Sequence, residues 1–160
     1  MTVQATTVNI SINSPDWRGQ ALSNFGLSPF VFHGQLFASI EGFIQGIKFP
    51  ESDPRRARAF CLSGWDAKQL GDEADRSGAY WNQARLAYGS AQHHQLIGDA
   101  IRARIAQSPG LQAVLHSTAG ATLVHETGHV ESPTTSLPAT VFLGVLNEIR
   151  DALLQEAARA

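Results

Sequence analysis

At 160 residues, 43% apolar and 16% charged, with a formal net charge of −2, the chain has the size and balance of one globular domain. Its 12 basic residues against 14 acidic ones exclude the cationic excess by which a domain grips nucleic-acid phosphates, and no window holds the roughly 18 apolar residues of a membrane span. The lone Cys61 excludes an internal disulfide and, with an N-terminal stretch that lacks a basic-then-apolar leader, predicts a cytoplasmic protein.

Val8, Ile10 and Ile12 alternate with polar neighbours and predict an outer strand, ended by Ser14-Pro15-Asp16. Pro29 to Phe32 and Gln35 to Phe37 predict a hairpin that turns at Gly34. Ser39 is placed to cap a helix whose Ile40, Phe43, Ile44 and Ile47 form a core-facing stripe. After a polar loop, Pro54 to Phe60 reads as a short helix opened by proline, and Asp66 as the cap of a segment from Ala67 to Leu70. Trp81 to Gln107 has helical spacing at Leu86, Ile97, Ile101 and Ile105, which predicts a helix with a break near Gly89. Pro109 opens another short helix. Ala121 to Val124 predicts a late strand, 126 to 136 a loop, and Ala139 to Ala157 a closing helix carrying Phe142, Val145, Leu146, Ile149 and Leu153. Early strands, helices after them and one late strand give an α+β class: a single helix-rich domain over residues 1–160 with a small β-sheet.

Chemistry gathers on the helix after Ser39. Glu41, Gln45 and Lys48 stand at i, i+4 and i+7 and so share one face, opposite the apolar stripe. An acid, an amide and an amine together supply a proton donor or acceptor, an orienting hydrogen bond and a nucleophile or cation. The same spacing also describes an ordinary solvated face. Only two lysines occur in the chain, Lys48 and Lys68.

Leu22-Ser23-Asn24-Phe25, Ser28-Pro29-Phe30, Gly34, Phe37, Ser39-Ile40-Glu41-Gly42-Phe43-Ile44-Gln45 and Lys48-Phe49 follow one another in an order and spacing that resemble the NADAR superfamily of YbiA-like N-glycosidases. Trp81, Ala100 to Ile105, Pro109 to Leu111, Leu115 to Thr118, Leu123-Val124 and Leu146 to Arg150 extend the resemblance over roughly residues 22–154. The chain departs from that pattern at Gly42, where the family has histidine, and at Asp72, where it often has arginine. It departs again at Val130 to Pro138, which lack the family's aromatic and glycines and leave Thr140 in the place of a loop asparagine.

The resemblance implies cleavage of a C1′ N-glycosidic bond. The substrate would be a phosphorylated pyrimidine intermediate of riboflavin synthesis or ADP-ribose on a guanine base. Such a reaction needs negative charge beside an oxocarbenium-like centre, a positioned nucleophile and a proton for the leaving base. Glu41 is then the acid/base or charge stabiliser. Lys48 is the nucleophile able to form a Schiff base, or a cation for phosphate if it stays charged. Trp81 would stack on the base, and Asn24 and Gln45 would hold the sugar. The core-anchor role suits Trp81 as well, and a turn-bonding role suits the Asn24 side chain. The expected partner is a small ribosyl phosphate or an ADP-ribosylated base, with no cofactor and no metal. A domain that binds an ADP-ribosyl or nucleotide ligand without cleaving it is the alternative.

His125-Glu126-Thr127-Gly128-His129 matches H-E-x-x-H, which on a helix places two imidazoles around zinc with the glutamate as base. Gly128, Pro133 and the strand-forming Thr122 and Val124 argue against a helix there, so a zinc peptidase is the third reading. His93-His94 reads as a solvated pair, Cys61 as a buried small residue, and Pro54 to Arg58 as charged surface.

Overall fold

Seven helices and three short strand pairs make up a computed structural model that describes residues 6–160; residues 1–5, the start of the N-terminal stretch read above, lie outside it. The β-structure is therefore not one small sheet but three separate two-stranded ones among the described residues. The first strand, β1 (Thr7–Asn9), is shorter than the alternation predicts: Val8 and Ile10 are fully buried, while Ile12 lies beyond the strand and is exposed. The partner of β1 is the late strand, paired with it in parallel so that Val8 faces Leu123. α1 (Trp17–Leu22), for which no periodicity signals, starts at Asp16, whose carboxylate accepts from the Arg18 N–H at 3.0 Å.

The predicted hairpin forms as β2 (Phe30–Phe32) and β3 (Gln35–Phe37). His33 and Gly34, at φ of 49° and 75°, supply the two left-handed residues that a two-residue hairpin turn needs. Ser39 caps α2 (Ile40–Gly46) as expected: its Oγ accepts from Gly42 N–H at 2.9 Å and donates to Leu62 O at 2.8 Å. Ile40, Phe43, Ile44 and Ile47 are all buried.

α3 (Pro54–Phe60), capped by Asp53, crosses α2 at two glycines. A Cβ on Gly42 would come within 2.4 Å of Leu62 O and 2.6 Å of Ala59 O, and both obstacles are backbone that cannot yield. Gly42→Ala is accordingly expected to destabilise the fold by about 1–3 kcal/mol, because the helices must separate. Thermal unfolding checks this; an unchanged midpoint would show that α2 and α3 can part freely.

α4 (Gly64–Gly71) begins at Ser63 rather than at Asp66, three residues earlier than expected, with the chain entering it through the left-handed Gly64 at φ 58°. The larger correction concerns Trp81 to Gln107. Its first part is a second hairpin, β4 (Ala79–Trp81) and β5 (Ala84–Leu86), turned by Asn82 and Gln83 at φ of 51° and 64°. Only α5 (Ala91–Ala106) is helical, starting at Ser90 just past the break at Gly89. Trp81 and Leu86 suit either period, and the left-handed turn at Asn82 decides the matter.

α6 (Pro109–Ser117), β6 (Thr122–Val124, the partner of β1) and α7 (Ala139–Arg159) complete the chain close to the predicted bounds. The core lies where Ile97, Ala100, Ile101 and Ile105 of α5 meet the α2 stripe and Phe142, Val145 and Leu146 of α7. Among the described residues no helix is long and apolar enough to cross a membrane.

Three polar positions differ from expectation. Cys61 is exposed, since it caps the end of α3 instead of joining the core. Arg56 is buried, donating to Phe49 O at 3.0 Å and Tyr80 O at 2.8 Å, so it ties the second hairpin to α3.

His93 is fully buried and accepts from Gly89 N–H at 3.0 Å; burial, with His94 and Lys48 nearby, pushes its pKa down to about 4. The unfolded chain takes up this proton near pH 6.5 and the folded chain only near pH 4, so His93 costs stability as pH falls through that window. The expected loss is about 3 kcal/mol. Urea melts across pH 6.5 to 4 should show a slope that flattens in His93→Gln; equal slopes would remove His93 from the account.

Candidate active site

A cavity of about 530 Å³ opens between α2, α4 and the segment from His125 to Leu137. Glu41, Gln45 and Lys48 all line it, so the face predicted from their spacing looks into a cavity, with Gln45 and Lys48 buried and Glu41 half-buried. The burial arises because α4 docks on α2 through Gly71, where a Cβ would fall 1.8 Å from Gln45 Oε1. Gln45, 4% exposed, donates through Nε2 to Glu41 Oε1 at 2.7 Å, and its own Oε1 is buried with no partner.

Glu41 stands in the first turn of α2, its N–H donating to Asn24 O at 2.9 Å. Burial raises its pKa, opposed in decreasing order by the Gln45 hydrogen bond and by the charges of Lys68 and Lys48. Lys48 follows the end of α2 and is 3% exposed. Burial first, then Arg76, lower its pKa to about 8, while the Glu41 carboxylate pulls the other way. The acid is pushed up and the amine pushed down, because burial disfavours the charged form of each.

Asn24 also lines the cavity, but its side chain makes no turn bond. Oδ1 is buried without a partner, and the turn is held instead by Ser23 Oγ, which accepts from Phe25 N–H at 3.2 Å. Trp81 does not reach this cavity. Its ring lies 5.4 Å from that of Phe43 and 5.6 Å, stacked, from that of Phe32, and it lines a separate hollow with His33, Glu51 and Arg56. The hairpin that replaces the expected helix carries it there.

Several lining residues escape sequence reasoning. Lys68 and Asp72 at the end of α4, with Arg76 beyond it, bring two further cations and an acid to the cavity; Arg76 Nη2 pairs with Asp72 Oδ1 at 3.3 Å. Phe25 and Trp65 form one wall, their ring centroids 5.2 Å apart and edge to face. The rarity of lysine was the one available signal for Lys68.

The H-E-x-x-H stretch is an irregular segment, not a helix: Gly128 sits at φ 79°, and Asn9 fastens the strand end by exchanging hydrogen bonds with Glu126 at 2.8 and 3.0 Å. His125 donates through Nδ1 to Ile10 O at 2.6 Å and packs edge-on against Phe142. Among the described residues no group of three metal-binding side chains occurs, so the helical zinc arrangement is not formed. His125 and His129 instead line the cavity. The segment beyond them is anchored by Tyr88, whose hydroxyl donates to Thr134 O at 2.8 Å, and by Glu131, which accepts from Ala139 N–H at 2.6 Å and so caps α7. Thr140 is exposed and outside the lining.

The chain is similar to the E. coli protein YbiA, whose NMR structure it matches with a TM-score of 0.69 over 99% of this chain and 91% of that one, at 24% identity. That likeness establishes a YbiA-like α+β fold. An uncharacterized 17.1 kDa protein of the Gp30-rIII intergenic region of Enterobacteria phage T4 is 33% identical over 142 residues, 86% of this chain and 93% of that one. The family model described as bacteriophage protein GP30.3 matches residues 16–151, and the chain therefore belongs to the bacteriophage GP30.3 protein family.

Proposed function

We propose that the protein is a divergent NADAR-type N-glycosidase that cleaves a C1′ N-glycosidic bond in a ribosyl phosphate or an ADP-ribosyl compound. The observation that carries the reading is the half-buried Glu41 and the buried Lys48 lining one cavity, with the acid raised and the amine lowered to about 8. With that amine value, about one Lys48 in ten is uncharged at pH 7.

The neutral Lys48 Nζ attacks C1′ as the bond from C1′ to the base nitrogen breaks, and the departing nitrogen takes its proton from the Glu41 carboxyl. The glycosyl ammonium returns a proton to the Glu41 carboxylate. The C1′–O4′ bond then opens, O4′ is protonated, and an imine joins Lys48 to C1′. Water adds to the imine carbon, and collapse releases the free sugar and restores the amine. Gln45 holds Glu41 in place. The unpartnered Asn24 Oδ1 is suited to accept from a ribose hydroxyl, and Lys68 and Arg76 are suited to a phosphate.

Incubation with ribosylated bases and pyrimidine ribosyl phosphates, read for free base by chromatography, tests the reading. Base release supports it. Thermal stabilisation by these compounds without release would favour the alternative, a domain that binds ribosyl ligands and does not cleave them.

A further inference from the structure

We propose that Trp65, on α4, is the platform on which the heteroaromatic base of the substrate stacks, with Phe25 behind it and Ile12 and Val130 completing an apolar rim. The inference rests on the reading of the cavity floor as a ribosyl-phosphate site and adds the place of the base.

Three large apolar side chains that line this one cavity are left in solvent: Trp65 at 59% exposed, Val130 at 94% and Ile12 at 41%. Apolar groups grouped at the rim of a cavity with charged residues in its floor mark a ligand that is polar at one end and apolar at the other. A nucleotide has that build. Its sugar and phosphate suit Glu41, Gln45, Lys48, Lys68 and Arg76, and its base needs a flat apolar partner.

Trp65 is held for such a role. Phe25 meets it edge to face at 5.2 Å, which keeps the indole from folding down into the cavity. Gly64 N–H donates to Phe25 O at 2.7 Å, and the left-handed conformation of Gly64 fixes the direction in which α4 sets out. The two ring-bearing segments are thus locked to each other by backbone. Trp81, half-buried among Phe32, Phe37 and Phe43, does not line this cavity. Stacking on an indole is tolerant of base identity, since every base has a π-face, so a common nucleotide can serve as the probe.

Adenosine 5′-monophosphate and ribose 5-phosphate differ by the base alone and separate floor from platform. Calorimetric titration of the whole chain with each is expected to show Trp65→Ala weakening the nucleotide by about tenfold while ribose 5-phosphate is unchanged, and Trp65→Phe recovering most of the loss. Equal weakening of both compounds would assign Trp65 to the shape of the cavity, and weakening of neither would remove it from binding; either result overturns the platform. Should wild-type protein bind neither compound, the reading of the floor falls and the platform with it.

Discussion

Lys48→Ala is expected to cut turnover of any ribosyl substrate by at least about 10³-fold, with the fold retained. Loss of a covalent nucleophile leaves only binding and electrostatics to accelerate the reaction, and such residues act as a unit with their proton partners. The fold should tolerate the change because Lys48 opposes it as much as it supports it: its charge is buried at a cost, which is why its pKa falls to about 8. Lys48→Arg is expected to be equally inactive, since guanidinium stays protonated and cannot attack C1′. The pH profile of the wild type should have an acid limb near 8, where Lys48 takes up its proton. Turnover within tenfold of wild type in Lys48→Ala, at matched thermal stability, would strip Lys48 of its role.

Glu41→Gln is expected to lower kcat by about 10² to 10⁴-fold, the usual range for a positioned acid or base. The substitution is nearly isosteric, and the new amide can still accept from Gln45 Nε2 through its oxygen, so the geometry of Gln45 should persist. Two readouts separate a proton-transfer role from a structural one. A substrate with a leaving group that needs no proton should recover much of the loss. The acid limb should also move to lower pH, because the Glu41 carboxylate is the strongest of the charges that raise the Lys48 pKa against its burial. An unchanged limb would mean that the two groups do not sense each other.

Much of this architecture is legible in local sequence signals. Ser39 as a cap, the i, i+3, i+4, i+7 stripe from Ile40 to Ile47 and the left-handed turn at His33-Gly34 are settled by residues a few positions apart. The spacing of Glu41, Gln45 and Lys48 showed that they share a face. It could not show that the face lines a cavity, because that depends on α4 docking through Gly71, a contact with no local signature. Nor could it bring His125 to Leu137 over the cavity, which follows from the parallel pairing of β1 with β6 across most of the chain. Trp81 is the opposite case: Leu86, Ile97, Ile101 and Ile105 have helical spacing over Trp81 to Gln107, and the left-handed conformations of Asn82 and Gln83 override it at the start of that stretch. Arg76 and Trp65 have no local signature that places them at a cavity, which forms only when distant segments come together around them.

Reduction with borohydride in the presence of ribose 5-phosphate, followed by peptide mass spectrometry, tests the central claim most directly. The chain has two lysines, and both line the cavity, so each serves as the control for the other. The account predicts a reduced pentosyl adduct on Lys48, absent from Lys48→Ala and weak in Glu41→Gln. An adduct confined to Lys68, or none on Lys48 while the protein releases base from a ribosyl substrate, would contradict it.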